Sequence, residues 1–249
     1  MGDGPWRVRV ARLGALASQM KDPAAVRALT FDCYGTLIDW DAGIRAYLRR
    51  LLDAKGAGTV DLDRFYHHWY HECELPAIAG PFMSYHEVLQ TSVQRALRDF
   101  GLPVRPDDGA DFGQDMKTWQ PFPDTHAVLT QLARTYPLCI ISNTARDIIE
   151  RSIAHMDVNF THVVTAEDVR VYKPDRRIFE AALSRLGLPP GPQVLHVFQS
   201  KIVDLPTATL LGLQTAWINR QHQELEPDRP RPDSIFPDLL PLLSSLKGA

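Results

Sequence analysis

The sequence predicts an α/β fold in which a doubly wound parallel sheet forms the core and a helical cap domain is inserted into it. Short, continuously apolar runs recur along the chain, as expected for strands that are buried on both faces of a parallel sheet. Helical patterns lie between several of these runs, which indicates an alternation of strand and helix. The long interval between the first and second runs is helical throughout, and this break in the alternation predicts the inserted cap.

The composition is that of an ordinary globular protein. The chain has 249 residues, of which 45% are hydrophobic and 23% are charged, and its formal net charge is −3. This length suits one large domain or one domain with an insert, and the charged fraction excludes global disorder. The weakly acidic charge gives no electrostatic reason to expect a nucleic-acid partner.

The cysteines and the N-terminal segment indicate the compartment. Three cysteines without a C-x-x-C pair argue against a disulfide framework or a cysteine-rich zinc site, and they favour a reducing environment. The apolar run 13–17 is short and interrupted by Gly14, so residues 1–26 are predicted to be an extension rather than a secretory signal. No apolar stretch approaches the roughly 18 uncharged residues of a transmembrane helix. We therefore expect a cytoplasmic protein that acts on a small molecule, with neither nucleic acid nor membrane as a partner.

The predicted core begins with a strand at 27–32 and resumes after the cap. The further strands are 137–142, 161–166, 194–198 and 215–219. The helices that accompany them are 125–135, 146–155, 177–186 and 205–211. The segment 224–234 is rich in proline and charge and is predicted to be a surface loop, followed by a short helix around 238–246 that packs back on the core.

The predicted cap contains four helices, at 42–54, 62–74, 85–100 and 109–119. Its return linker is 120–124, where Pro121 and Pro123 stiffen the chain and oppose continuation of a helix. The predicted division of the chain is an N-terminal extension over 1–26, an α/β core over 27–41 and 121–249, and a cap over 42–120.

Polar side chains follow each of the first four predicted strands. They are, in chain order, Asp32, Ser142, Asn143, Lys173, Gln199, Ser200 and Asp204. Each of them fits a turn or helix-capping role when it is taken alone. However, ligands of open α/β sheets bind at the carboxyl ends of the strands, near the point where the winding reverses. Four such coincidences at one edge of the sheet therefore favour a shared site.

The residue types in this group suit covalent hydrolysis. A carboxylate such as Asp32, on a tight turn before Gly35, can attack an electrophilic carbon or phosphorus and divide one difficult step into two. Lys173 directly precedes Pro174, which disfavours a position inside a helix and leaves the ammonium free to pair with a carboxylate. Asp204 can orient or deprotonate a water molecule, or it can hold the lysine.

Five longer stretches carry a family resemblance. They are FDCYGTLIDW (31–40), IISNTARD (140–147), VYKPDRRIF (171–179), VLHVFQSKIVDLPTATLLGL (194–213) and AWINR (216–220). In this combination the chain resembles the haloacid dehalogenase superfamily and, within it, the L-2-haloacid dehalogenase (type II) branch, from about residue 27 to the end. The resemblance implies a Rossmann-like core, a helical cap that closes over the site, and a homodimer.

The resemblance also implies a catalytic role for each matching residue. The roles are Asp32 as the nucleophile, Thr36 and Ser142 in its support, Asn143 near the leaving group, Lys173 holding the carboxylates, and Asp204 helping water to hydrolyse the ester. The expected substrate contacts are Tyr34, Trp40, His67, Gln199 and Ser200.

Two positions favour displacement at carbon over phosphoryl transfer. Phosphatases of the superfamily carry an aspartate two residues after the nucleophile as acid and base, and another early in the fourth motif for Mg²⁺; this chain has Tyr34 and Gln199 there. Mg²⁺ prefers carboxylate oxygens, so the amide weakens such a site. A tyrosine, with a pKa of about 10, is poorly suited to protonate a leaving group at neutral pH, whereas halide leaves without a proton. We therefore expect no metal and no cofactor.

Three positions depart from the type II pattern. The cap arginine that binds substrate in these enzymes falls near His67, whose imidazole binds an anion only when it is protonated. Phe179 stands in place of a tyrosine, and Lys201 in place of an apolar residue. The expected function is displacement of halide from a small 2-haloalkanoic acid. Two alternatives stay open: a phosphatase or other hydrolase of the superfamily, and a non-catalytic binding protein.

Overall fold

The computed structural model describes residues 20–247, so most of the predicted N-terminal extension lies outside the described residues. Six parallel strands form one sheet in the order β3-β2-β1-β4-β5-β6. The strands are β1 Ala28–Phe31, β2 Leu138–Ser142, β3 His162–Thr165, β4 Val194–Phe198, β5 Gln214–Ile218 and β6 Ser234–Phe236. The chain winds from β1 to β3 in one direction and then crosses to β4 on the other side of β1. The predicted doubly wound sheet is thus confirmed.

Helices cover the sheet, as the burial of its strands requires. Every residue of β2, β4 and β5 is buried. The core helices are α6 Thr125–Leu132, α7 Arg146–Met156, α8 Ala166–Val169, α9 Arg176–Leu186, α10 Leu205–Leu210 and α11 Leu240–Lys247. Local chemistry sets the bounds of α9, since the Asp175 side chain accepts a hydrogen bond from the backbone N–H of Arg177, and the helix ends at Gly187. None of the helices within 20–247 is long and apolar enough to cross a membrane.

The segment 224–233 contains no helix or strand, in agreement with the predicted loop over 224–234. The edge strand β6, which begins at Ser234, was not predicted. Its pairing with β5 depends on Asp233, whose carboxylate accepts hydrogen bonds from the backbone N–H and the hydroxyl of Thr215, both at 3.0 Å. The prolines before it are typical of loops and hide a strand of only three residues. A contact between distant parts of the chain therefore decides this element.

The inserted cap is helical, as predicted. Its helices are α1 Trp40–Ala54, α2 Leu62–His68, α3 Leu75–Ala79, α4 Tyr85–Asp99 and α5 Phe112–Met116, with a π-helix at Trp69–Glu74 between α2 and α3. The single helix predicted over 62–74 is therefore an α-helix followed by a π-helix. A short amphipathic pattern does not distinguish the two, because both bury one apolar stripe.

Aromatic side chains form the core of the cap. Trp69, at the start of the π-helix, is fully buried and donates a hydrogen bond from its indole to the Ser92 hydroxyl at 3.0 Å. The rings of Tyr47 and Phe112 stack with their centroids 3.9 Å apart, which joins α1 to α5. These contacts orient the π-helix, because Trp69 must face the centre of the cap.

The two linkers between cap and core run side by side. The backbone N–H of Asp39 donates to the carbonyl of Gln120 at 3.1 Å, and that of Phe122 donates to the carbonyl of Leu37 at 3.0 Å. These hydrogen bonds join the entry and exit of the cap next to the turn 32–37, which follows β1. The boundaries predicted at 41/42 and 120/121 stay predictions, and α1 begins two residues before the first of them.

Polar contacts hold the cap over one end of the sheet. The Tyr172 hydroxyl donates to the carbonyl of Met83 at 2.9 Å. The Asp147 carboxylate, at the start of α7, lies 2.9 Å from the His86 imidazole and 2.7 Å from the Lys117 ammonium. The cap therefore rests on the carboxyl ends of the central strands, where the winding reverses.

Lys55 and Asp108 form a buried ion pair within the cap, and substitution of the lysine tests how much this pair stabilises the fold. Their charged groups lie 2.5 Å apart and their side chains are 6% and 9% exposed. We expect Lys55→Ala to lower the free energy of unfolding by about 3–5 kcal/mol, because it leaves a buried carboxylate without its cation. The control Arg176→Ala breaks a pair whose arginine is exposed to solvent, so it should lower the free energy of unfolding far less. Urea denaturation measures both; equal losses would contradict the expectation.

Candidate active site

The turn after β1 presents Asp32 at the carboxyl edge of the sheet. The backbone N–H of Leu37 donates to the carbonyl of Cys33 at 2.7 Å and closes the turn. Gly35 has φ +90°, a conformation that favours glycine, and a Cβ there would lie 3.1 Å from both Gln199 Oε1 and Trp40 Nε1. The glycine is thus needed for the backbone and for the space beside it.

Both oxygens of the Asp32 carboxylate are held. The Thr36 hydroxyl donates to Oδ2 at 2.7 Å, and the Lys173 ammonium donates to Oδ1 at 2.8 Å. The Asp32 side chain is only 9% exposed, so these partners replace most of its hydration. The structure therefore brings together the three residues that the sequence predicted as nucleophile and support.

Lys173 lies between two carboxylates. Its ammonium also donates to Asp204 Oδ1 at 2.7 Å, and the side chain is 1% exposed. Burial disfavours the charged amine, but Asp204 and Asp32 outweigh that effect and hold the pKa of Lys173 above its ordinary value. The two carboxylates therefore favour the positively charged form of the lysine.

The two carboxyl groups of this trio differ in their environment. Burial raises the pKa of Asp32 above its ordinary value, against the opposing effect of Lys173. Burial acts in the same sense on Asp204, but Lys173 and the hydrogen bond from His196 hold the pKa of Asp204 below its ordinary value. Asp204 Oδ2 is buried and accepts no hydrogen bond from the described residues.

A histidine and a threonine inside the sheet extend this network, and the sequence analysis missed them. His196 Nε2 lies 3.1 Å from Asp204 Oδ1, and its Nδ1 lies 2.9 Å from the Thr30 hydroxyl. Both contacts are satisfied when Nε2 donates to the carboxylate and Nδ1 accepts from the threonine hydroxyl. The available signal was a polar residue within the apolar run VLHVF.

Asn143 lines the cavity, and its amide also holds the backbone of Lys173. Its Oδ1 accepts from the backbone N–H of Lys173 at 2.6 Å, and its Nδ2 donates to the Lys173 carbonyl at 3.2 Å. Ser142 is buried, and its hydroxyl lies 3.0 Å from that of Thr144. No hydrogen bond joins Ser142 to Asp32 within the described chain, so its predicted support of the nucleophile is indirect at most.

A small cavity of about 60 Å³ opens above the trio, between core and cap. Its volume is far below the roughly 300–1,000 Å³ of pockets for drug-sized ligands, so it suits a small substrate. The lining residues are Asp32, Tyr34, Trp40, Tyr70, Glu74, Leu75, Ile78, Tyr85, Asn143, Thr144, Lys173, Gln199, Ser200 and Val203. Of the five predicted substrate contacts, Tyr34, Trp40, Gln199 and Ser200 are among them.

His67 does not line the cavity, which corrects the prediction of a substrate contact there. It is exposed, and its ring stacks on that of His71 with the centroids 6.1 Å apart. The reason is the packing of its neighbours, because Phe65, Tyr66 and Trp69 face the cap interior and turn His67 outward. The residues of this cap segment that reach the cavity are farther along the chain.

Glu74 is the residue of this segment that the sequence analysis overlooked. It ends the π-helix, is 4% exposed and lines the cavity. Tyr85 donates a long hydrogen bond of 3.4 Å to its Oε1, whereas Oε2 is buried without a hydrogen-bond partner in the described chain. Burial raises the pKa of Glu74 to about 8. The available signal was an acidic residue directly before the apolar segment LPAIA.

Tyr34 cannot readily donate or accept a proton. Its hydroxyl lies 2.8 Å from the Ser152 hydroxyl, and burial raises the pKa of the phenol well above 10. Asp32 is accompanied at the cavity by the amide of Gln199, and Asp204 is already paired with Lys173. As metal ligands, these groups do not provide the carboxylate-rich coordination that Mg²⁺ prefers.

One family model and several known proteins are similar to this chain. The model of the haloacid dehalogenase-like hydrolases matches residues 26–197. The (S)-2-haloacid dehalogenase H-109 of Pseudomonas putida is 28% identical over 202 residues, which are 79% of this chain and 87% of that protein. A solved dehalogenase with an intermediate complex has a TM-score of 0.75 at 25% identity and covers 89% of this chain and 97% of its own. A solved L-2-haloacid dehalogenase has a TM-score of 0.74 at 26% identity, with 89% and 99% covered.

The buried carboxyl of Glu74 predicts a pH dependence of stability. An unfolded glutamate releases its proton near pH 4.5, while the folded protein keeps it up to about pH 8. Between these values the folded state binds more protons, so the free energy of unfolding falls as the pH rises. We expect Glu74→Gln to remove this component and become the more stable protein above pH 4.5, increasingly so up to pH 8.

Thermal denaturation from pH 4 to pH 9 measures this difference. Glu72→Gln, which changes an exposed carboxyl in the same turn, is the matched control. Parallel pH profiles for the wild type and Glu74→Gln would show that the folded protein does not retain this proton.

Proposed function

Because the chain belongs to the haloacid dehalogenase-like hydrolases, we propose that it displaces halide from a small 2-haloalkanoic acid through an ester of Asp32, without a metal ion. The observation that carries this proposal is the Asp32 carboxylate, held by Lys173 and Thr36 at the base of a small and mainly apolar cavity. The (S)-2-haloacid dehalogenase names of the relatives support the same reaction.

In the first step an oxygen of Asp32 attacks the α-carbon of the substrate from the side opposite the halogen. The C–O bond forms while the carbon–halogen bond breaks, its electron pair leaves with the halide, and the carbon is inverted. Lys173 and Thr36 hold the two carboxylate oxygens in place, which lowers the entropic part of the barrier. Burial strips the carboxylate of water, so the attacking oxygen does not have to shed hydration.

The aromatic side chains of the cavity would receive the halide. Tyr34, Trp40 and Tyr70 line the wall, and their ring edges carry partial positive charge. The Trp40 ring packs edge-on against Tyr70, with centroids 5.3 Å apart, so its position is defined. A leaving halide needs no proton. This matches a site in which the Tyr34 phenol keeps its proton.

In the second step water attacks the carboxyl carbon of the Asp32 ester. Asp204 Oδ2, which has no hydrogen-bond partner among residues 20–247, is the base available for the water proton. The Lys173 ammonium stabilises the oxyanion that forms on the Asp32 carboxyl group. The ester C–O bond then breaks, and the leaving alkoxide takes the proton back from Asp204 and departs as the 2-hydroxy acid. Asp32 releases the second proton of the water to solvent, which restores its carboxylate with one oxygen from water.

Isotope labelling tests the ester directly. In a single turnover of 2-chloropropionate in ¹⁸O water, we expect one ¹⁸O atom in the Asp32 peptide and none in the lactate, measured by mass spectrometry. Asp32→Asn should release no chloride above background, because an amide is a poor nucleophile. The control Asp157→Asn changes an exposed residue with φ +51°, which asparagine also tolerates, and should behave as the wild type. Label in the lactate instead would contradict the ester.

A second variant separates dehalogenation from phosphatase chemistry. We expect Tyr34→Phe to keep chloride release within about threefold, since the phenol transfers no proton and the substitution preserves the ring. The assays are chloride release and hydrolysis of a generic phosphate ester, each with EDTA and with Mg²⁺. Mg²⁺-dependent phosphate release that fails in Tyr34→Phe would favour the phosphatase, and no turnover of either substrate would favour a binding protein.

The remaining parts of the proposal concern location and assembly. All three cysteines are buried and free, which supports the reducing conditions of the cytoplasm. The resemblance to type II dehalogenases supports a homodimer, for which light scattering of the purified protein gives the mass.

A further inference from the structure

Glu74 places an incompletely bonded carboxyl group in the cavity wall. It is 4% exposed, and its Oε2 has no hydrogen-bond partner in the described chain. Buried polar atoms are nearly always hydrogen-bonded, so such an atom next to a cavity indicates a partner that the cavity receives. Tyr70, Glu74 and Ile78 are spaced four residues apart along the π-helix and α3, and all three line the cavity. They form one helical face on the cap side of the cavity. π-Helical turns such as the one that ends at Glu74 are frequent at functional sites.

The described lining of the cavity offers an anionic substrate no unpaired positive charge. Among its described lining residues Lys173 alone carries a positive charge, and Asp32 and Asp204 already share it. A substrate carboxylate would therefore need another strong hydrogen-bond donor in the wall. Glu74 becomes such a donor when it is protonated, because a neutral carboxyl group carries one O–H.

The surroundings of Glu74 favour that neutral form. Burial raises its pKa to about 8, and the hydrogen bond from Tyr85 is too weak to reverse this. The titratable side chains that face it are Tyr66 on α2, Tyr70 on the π-helix, Tyr85 on α4 and Tyr172 before α9, with Asp32 and Lys173 across the cavity. Burial raises the pKa of all four phenols above 10, so none of them ionises in the range where Glu74 does.

We propose that Glu74, in its protonated form, binds the carboxylate of the substrate and takes the place of a cationic cap residue. Its O–H donates from Oε2 to a carboxylate oxygen, while Tyr85 holds Oε1. A hydrogen bond between a carboxylic acid and a carboxylate is short and strong because the acceptor is charged. The pairing rests on the proposed function for the identity of the ligand as a small 2-halogenated acid, and it makes recognition depend on a single proton.

This pairing predicts that carboxylate binding weakens at alkaline pH. Once Glu74 is ionised, two carboxylates would meet in a buried site, which is strongly unfavourable unless a proton is taken up. Calorimetry with propionate, an unreactive carboxylate, measures this. For the wild type we expect affinity to fall by at least about tenfold from pH 6.5 to pH 9.5, with uptake of about one proton per ligand at the higher pH. Titrations in two buffers of different ionisation enthalpy count the protons.

Two substitutions distinguish a binding role from a structural one. Glu74→Gln keeps an N–H donor at every pH, so propionate affinity should become independent of pH and proton uptake should vanish. Glu74→Leu removes the donor and should weaken binding about tenfold or more at pH 6.5. The controls are Glu72→Gln, which changes an exposed carboxyl, and propionamide, whose affinity for the wild type should not fall with pH. In turnover, Glu74→Gln should abolish the rise of KM at alkaline pH that the wild type shows.

The outcomes separate this inference from the proposed function. If Glu74→Gln keeps the wild-type pH dependence and proton uptake, or if folded wild-type protein does not bind propionate, the role of Glu74 is overturned. If chloride is released but KM follows the same pH profile in both proteins, the inference fails while the dehalogenase stands. If propionate binds as expected but no halogenated acid alkylates Asp32, the dehalogenase fails while carboxylate recognition by Glu74 stands.

Discussion

The Lys173 ammonium between Asp32 and Asp204 is the interaction on which the site depends. An ion trio buried at this depth loses most of its hydration, and only short contacts of 2.7–2.8 Å to both carboxylates compensate for that loss. Those contacts exist because β1 and β4 are neighbours in the sheet although most of the chain separates them. Asn143, at the end of β2, fixes the lysine backbone from the other side. The reversal of winding at β1 thus assembles the reacting groups.

The cap has a different task from the core. The core supplies the ion trio of Asp32, Lys173 and Asp204, whereas the cap closes the cavity with aromatic rings and one acidic side chain. The linkers pair next to the nucleophile turn, so the cap is held close to Asp32 without contributing to its ion pair.

How far the site could be predicted from sequence differs between core and cap. Asp32, Lys173 and Asp204 were predictable because each follows a strand of a parallel sheet, and the ends of those strands converge. Thr36 was expected only from the family resemblance. Thr30 and His196 were missed because they lie inside strands, where a polar residue normally indicates nothing more than a local hydrogen bond. In the cap, His67 was expected in the site and Glu74 was not. The helical pattern of 62–74 does not reveal where an α-helix changes into a π-helix.

The sequence by itself determined the α/β core, the place of the helical insertion and the nucleophile turn. These features rest on local properties, namely continuous apolar runs, prolines at the linker and a glycine in a turn that requires positive φ. Only the tertiary structure decided which cap side chains line the cavity with Asp32, that Asn143 holds the Lys173 backbone, and that β6 joins the sheet. The physical reason is that each of these depends on contacts between residues far apart in the chain, such as Trp69 with Ser92, which no local pattern records.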